Sequence, residues 1–215
     1  MRHIALLLLS MMFFASFSVF ANGFSEKTAS SVTVTSEQLS DAKTLIVYFS
    51  PANSDGVDFV SSATPRVDGV SSVEYLANLI GSQVKADAAK IVPREPYPLP
   101  YNDTADKAKK EQNNNERPAF SLDVNPEDYD IIFVGYPIWW YHLPMIMQSF
   151  FAAYDFSGKT VIPFMTHQGS RDGGTFKEIR QLESESTVVE GIAVRGDHSA
   201  NADDDVKKWL SGLGY

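Results

Sequence analysis

Three short stretches concentrate the residue types that could do chemistry. Ser50 closes an apolar run, and Ser71 and Ser72 stand at the start of a helical pattern further on. A helix start offers free N–H groups, and serine hydroxyls beside them complete an anion site. The same serines also serve as plain helix caps. The second stretch is GYPIWWYHLP, residues 135–144. Adjacent residues of an extended turn cannot all point into one core, so at least one of Trp139, Trp140 and Tyr141 is expected to be partly exposed. An aromatic ring beside a flat heterocycle gains about 0.5–1.5 kcal/mol beyond area burial. The alternatives are a covered sheet edge or a protein interface. The third stretch, THQGSRDGG at 166–174, mixes hydroxyl, imidazole, amide and guanidinium donors with glycines that let backbone N–H groups come close to a ligand.

Several other chemistries are excluded. Gly169 and Gly174 have the separation of a phosphate-binding P-loop, but Thr175 stands where its lysine must be. No G-x-S-x-G elbow marks a hydrolase. Asp203, Asp204 and Asp205 open a helix, where acids complement the dipole, and this reading is preferred to a metal site. Asp197 and His198 are neighbours in a polar turn and are expected to be solvated. No metal-ligand spacing is visible.

The elements around these stretches predict how they are held. KTLIVYFS (43–50), DAAKIVP (87–93), DYDIIFVGYP (128–137), GKTVIPFMTH (158–167) and TVVEGIAVRG (187–196) read as buried strands. Between them lie helical patterns: Val73, Leu76, Ala77 and Ile80 share one face, and a second helix opens at Pro144 and carries Met145, Ile146, Phe150 and Phe151. DGGTFKEIRQL and NADDDVKKWLSGL complete the series, and residues 93–118 read as a surface excursion with one polar helix. Strands that alternate with helix-length crossovers predict one α/β domain, a doubly wound five-stranded parallel sheet with helices on both faces, over 43–215. In such a sheet ligands bind beyond the carboxyl ends of the strands. All three stretches fall there.

Composition narrows the partners. Arg2 and His3 precede an apolar run over 4–20, and Val19-Phe20-Ala21 fits a peptidase site, which predicts a secretory leader over 1–21 cut after Ala21. Residues 22–42 read as a flexible lead-in, and 51–68 as a long polar insert, lid or surface loop. Without the leader there is no apolar run that would hold the chain in a membrane. The net charge of −9 becomes −10 once Arg2 is removed, which argues against nucleic acid as a partner and suits docking on a basic one. The absence of cysteine excludes disulfides, thiolate chemistry, iron–sulfur clusters and zinc–thiolate sites.

TLIVYFS, YDIIFVGYPIWWYHLP and FSGKTVIPFMTHQGS resemble the flavodoxin-like proteins, specifically a branch with a P-I-W-W loop. The resemblance covers most of the chain from Lys43 onward. It implies a five-stranded parallel sheet and non-covalent FMN at the strand ends. Ser50, Ser71, Ser72 and Val73 would hold the phosphate. Pro137, Ile138, Trp139 and Trp140 would flank the isoalloxazine ring, and Thr166, His167, Gln168, Gly169 and Ser170 would contact its pyrimidine edge. His167 or Arg171 there would raise the reduction potential of the flavin. The expected function is electron transfer in the periplasm, as a carrier for a redox partner protein or as an FMN-dependent reductase of a small-molecule or quinone-type acceptor. Instead of the Gly-Asn-Thr phosphate turn usual in flavodoxins the chain has the long insert, which keeps open a flavin-free binding module on the same fold.

Overall fold

The computed structural model describes residues 42–51, 70–98 and 100–215. The expected leader, most of the lead-in and nearly all of the insert lie outside these residues. Seven strands form one sheet: β1 Thr44–Phe49, β2 Asp87–Pro93, β3 Phe120–Ser121, β4 Ile131–Pro137, β5 Thr160–His167, β6 Thr187–Val188 and β7 Ile192–Arg195. The helices are α1 Ser72–Gly81, α2 Tyr101–Asn114, α3 Met145–Ala153, α4 Thr175–Leu182 and α5 Asp203–Leu213. Among the described residues no helix is long and apolar enough to cross a membrane.

The strand order is β3-β2-β1-β4-β5-β6, and β7 also pairs with β5. Every pair is parallel except β2–β3. The expected five-stranded parallel sheet is therefore present, flanked by the two-residue β3. Its strands are buried on both faces, and the period of two sorts their side chains into two cores. Leu45, Val47, Phe49, Ile132, Val134, Tyr136, Val161 and Met165 face α2, α3 and α4. Ile46, Tyr48, Ile131, Phe133, Ile162 and Phe164 face α1 and α5. Val73, Leu76, Ala77 and Ile80 of α1 are all buried, as the helical spacing predicts.

The outer strand differs from expectation. Instead of one strand from Thr187 onward, it is split into β6 and β7. The Val189 N–H reaches the Val161 carbonyl at 3.0 Å, so Val161 presents its backbone to the outer strand. Two residues on, Pro163 presents its own backbone the same way and has no N–H to donate. The ladder breaks there and resumes at Phe164 opposite Ile192.

Candidate functional site

The loops after β4 and β5 lie at the carboxyl ends of their strands, as do Ser50 and the start of α1, and identifiable contacts shape each. After β4, the Ile138 N–H donates to the Thr166 carbonyl at 2.9 Å, which carries the β4–β5 ladder into the loops. Trp139 and His142 then exchange both backbone hydrogen bonds, at 3.1 and 2.9 Å. Trp140 and Tyr141 form the two-residue turn between them, with φ of 51° and 63°. Two positive φ values in a hairpin turn call for residues such as Asn-Gly. A tryptophan and a tyrosine here cost about 1–2 kcal/mol each.

Surrounding contacts hold this strained turn. The Trp140 Nε1–H donates to the Ala105 carbonyl on α2 at 2.9 Å, and the Lys109 ammonium lies 5.2 Å from its ring centre. On the other side Glu178 of α4 accepts from the Leu143 N–H at 3.2 Å and from the Gln148 amide at 2.7 Å. The turn also divides the aromatics. Trp139 is buried in the core, edge-on to Phe49 at 5.3 Å and to Tyr97 at 4.9 Å. Trp140 is 44% exposed and Tyr141 70% exposed. The aromatic surface that a ligand can meet is therefore Trp140 and Tyr141, with Trp139 behind them.

The loop after β5 is shaped by glycines and by His167. The His167 Nδ1 accepts the Gly169 N–H at 2.9 Å, which places the ring proton on Nε2. Burial first, and then the nearby Arg195 charge, push its pKa below the ordinary histidine value, so the imidazole is neutral at neutral pH. Gly173, at φ 56°, brings the loop against the Trp140–Tyr141 turn; a Cβ there would stand 2.4 Å from Ile138 Cδ1. Below, the Tyr136 hydroxyl donates to Thr175 Oγ1 at 2.8 Å and ties β4 to the start of α4.

At the start of α1 the serines divide their roles. The Ser50 hydroxyl donates to Ser71 Oγ at 2.7 Å, and Ser71 Oγ accepts the Glu74 N–H at 3.2 Å as the helix cap. Ser72 is 1% exposed, and its Oγ has no hydrogen-bond partner among the described residues. A buried hydroxyl left unpaired costs about 1–3 kcal/mol, so this atom fits a ligand acceptor such as a phosphate oxygen. The Val73 side chain lies in the core, which leaves its backbone alone to serve a ligand.

Ile138, Trp140, Gln168, Gly169 and Ser170 are brought together around a groove of about 280 Å³. Tyr101, Ala105 and Tyr141 complete its wall. Sequence reasoning missed the first two, which come from a helix more than thirty residues away in the chain; Tyr141 carried a signal, as third of the three adjacent aromatics. Pro137 and Thr166 are buried at the strand ends. His167 and Arg171 lie on the far side of the loop, where both line a second hollow with Asp172 and Lys177. A larger hollow of about 990 Å³ runs between β7 and α5, with Arg195, Glu190, Asp205 and Lys208 among its lining. Its charges are mixed and only the β5 loop borders it, so the smaller groove is the better candidate. The helix-start acids behave as expected, with all three in the first turn of α5, and Asp197 is paired with Arg195 at 2.9 Å.

The sequence matches the flavodoxin family over residues 64–213, more than half of the chain. The chain belongs to the flavodoxin family. No curated protein matches it. Among solved structures this flavodoxin-family chain is similar to a candidate flavoprotein from Bacteroides uniformis, at 28% identity and a TM-score of 0.62, over 79% of this chain and 98% of that one. A second, from Bacteroides eggerthii, is 26% identical with a TM-score of 0.62, over 81% and 99%. A flavoprotein from Lactobacillus acidophilus in complex with FMN shares the fold at 21% identity and a TM-score of 0.55, over 79% and 99%.

Proposed function

We propose that this chain is an FMN flavoprotein that transfers electrons outside the cytoplasm. The observation that carries the proposal is the groove between the Trp140–Tyr141 turn and the Gln168–Ser170 loop; the Ser72 hydroxyl at the start of α1, unpartnered among the described residues, adds to it. FMN, when bound, would supply the reversible redox chemistry of electron transfer. The chain's own residues bind and orient it. The exposed Trp140 and Tyr141 offer ring faces, Gln168, Gly169 and Ser170 offer polar edges, and Ser72 with the first N–H groups of α1 offers an anion site. The Ala105 and Lys109 contacts keep Trp140 in place before the ligand arrives, which lowers the ordering cost of binding.

The test is the visible spectrum of the purified chain titrated with FMN. The expected result is a tightly held flavin whose affinity falls roughly threefold to tenfold in Trp140→Ala, the equivalent of about 0.5–1.5 kcal/mol of stacking. A chain that leaves FMN fluorescence unchanged removes the proposal and leaves a flavin-free binding module. NADH or NADPH turnover by the purified holoprotein supports a reductase of small molecules or quinones. Salt-sensitive electron transfer to a basic protein without such turnover supports a carrier, in keeping with the acidic charge. Periplasmic export rests on the leader pattern over 1–21. A mature protein that begins at Asn22 is the expected product, and one that retains Met1 in the cytoplasm refutes export.

A further inference from the structure

Glu111 is the one described carboxylate that lies more than nine-tenths buried, at 3% exposure on α2. A buried carboxylate is costly unless it is paired. Its short contact is the Tyr97 hydroxyl, which donates to Oε2 at 2.8 Å, and Tyr97 is itself 8% exposed. Tyr97 meets the ring of Trp139 edge-on at 4.9 Å, and Trp139 adjoins Trp140, which is exposed on the groove wall. Carboxylate, phenol and the buried indole are therefore in contact, and the next residue in the chain, Trp140, takes the series to the groove. Simple packing needs neither the phenol nor the carboxylate.

We propose that Trp140, Trp139, Tyr97 and Glu111 form a relay that draws an oxidising equivalent inward from the groove and holds it on Tyr97. The oxidant is a one-electron radical, of the peroxyl or azidyl class, that reaches the groove. It takes one electron from Trp140 and becomes an anion. Trp140 is refilled from Trp139, and Trp139 from Tyr97. As Tyr97 gives up its electron, its phenolic proton passes to the Glu111 carboxylate. The products are the reduced oxidant, a neutral phenoxyl at Tyr97 and a protonated Glu111, so charge and electrons balance.

The direction follows from what each ring touches. An indole that loses an electron becomes a cation, and the Lys109 ammonium 5.2 Å from the Trp140 ring disfavours a cation there. The Trp140 N–H faces a carbonyl, a very weak base, and the Trp139 Nε1 has no hydrogen-bond partner among the described residues. Neither indole can shed its proton easily. Tyr97 alone has a carboxylate in place to receive one. The Lys107 ammonium sits 4.9 Å from the Tyr97 ring, but the oxidised phenol leaves as a neutral radical and is not penalised.

Pulse radiolysis of the full-length chain without flavin tests the relay, with azidyl as the oxidant. A Tyr101→Phe, Tyr141→Phe background removes the two exposed phenols that share the groove with Trp140. The expected result is an indole cation-radical band that decays as a violet phenoxyl band rises, at a rate independent of protein concentration. Tyr97→Phe in that background should abolish this phase. Glu111→Gln, which keeps the shape but not the base, should slow it roughly tenfold or more. The unsubstituted pair gives a second reading. Burial raises the Glu111 pKa above the usual carboxylate range, against the Tyr97 hydrogen bond and Lys107, which lower it; Glu116 and Glu95 add to the rise. The phase should therefore speed up as pH rises through that raised value. A phenoxyl phase that survives Tyr97→Phe overturns the relay. A rate indifferent to both Glu111→Gln and pH overturns the role of Glu111 and leaves the pair a packing contact. Neither result bears on FMN binding.

Discussion

Gly173→Ala measures how closely the two loops of the groove are keyed together. Gly173 has φ 56°, and a Cβ there would stand 2.4 Å from Ile138 Cδ1 and 3.4 Å from the Tyr141 carbonyl oxygen. Two costs arise. The left-handed backbone costs an alanine about 1–2 kcal/mol. The overlap adds about 1–3 kcal/mol, toward the low end because the atom struck is the tip of a side chain that can turn. The sum is about 2–4 kcal/mol, read as a lower urea midpoint with an unchanged slope. Ile138 also lines the groove, so its displacement should weaken FMN binding. Ile138→Val removes the Cδ1 atom and alone costs about 0.5–1.5 kcal/mol. In the double variant the overlap disappears while the φ cost stays. The pair should therefore lose about 1 kcal/mol less than the sum of the single losses. Urea unfolding of the four proteins, followed by tryptophan fluorescence, gives this coupling. Losses that add to within about 0.5 kcal/mol would show that the two atoms never compete, and would refute the packing argument.

Other perturbations separate stability from binding. Tyr141→Gly relieves a φ of 63° at a residue that is 70% exposed. The flavin-free chain should gain up to ~1 kcal/mol in urea while FMN binds more weakly; a loss of stability would show that the turn is not strained. Glu178→Ala leaves the Leu143 N–H and the Gln148 amide without their acceptor. It should cost about 1–3 kcal/mol, and Glu178→Gln less, in the same assay. Burial first, and then Asp155, raise the Glu183 pKa from 4.5 to about 7. The folded chain then binds this proton more tightly than the unfolded one, so stability declines as pH rises from about 4.5 to about 7. Glu183→Gln should flatten that part of the melting temperature profile, and superimposable profiles would refute it.

What the sequence shows of this chain is what local pattern determines. β1 and β4 are buried along their whole length, so their continuous apolar runs are unmistakable. The three strand-end loops follow from the same alternation. The break in the outer strand is harder to see, because it depends on which way the nitrogen of Pro163 points across a strand pair. The groove is legible in half. Crowding predicts that one of three adjacent aromatics must face out, but the two positive φ values decide that these are Trp140 and Tyr141. Tyr101 and Ala105 enter only because α2 folds back over the turn, a long-range contact with no trace in their own neighbourhood.

The break at Pro163 has an effect at the rim of the sheet. A long, open outer strand is a template on which another chain can add itself, and stacked copies can then grow into fibres. Here the rim beyond β5 consists of two residues in β6 and four in β7. That side offers no run long enough to start such growth. By withholding one hydrogen, a single proline inside the sheet keeps that rim from serving as a template.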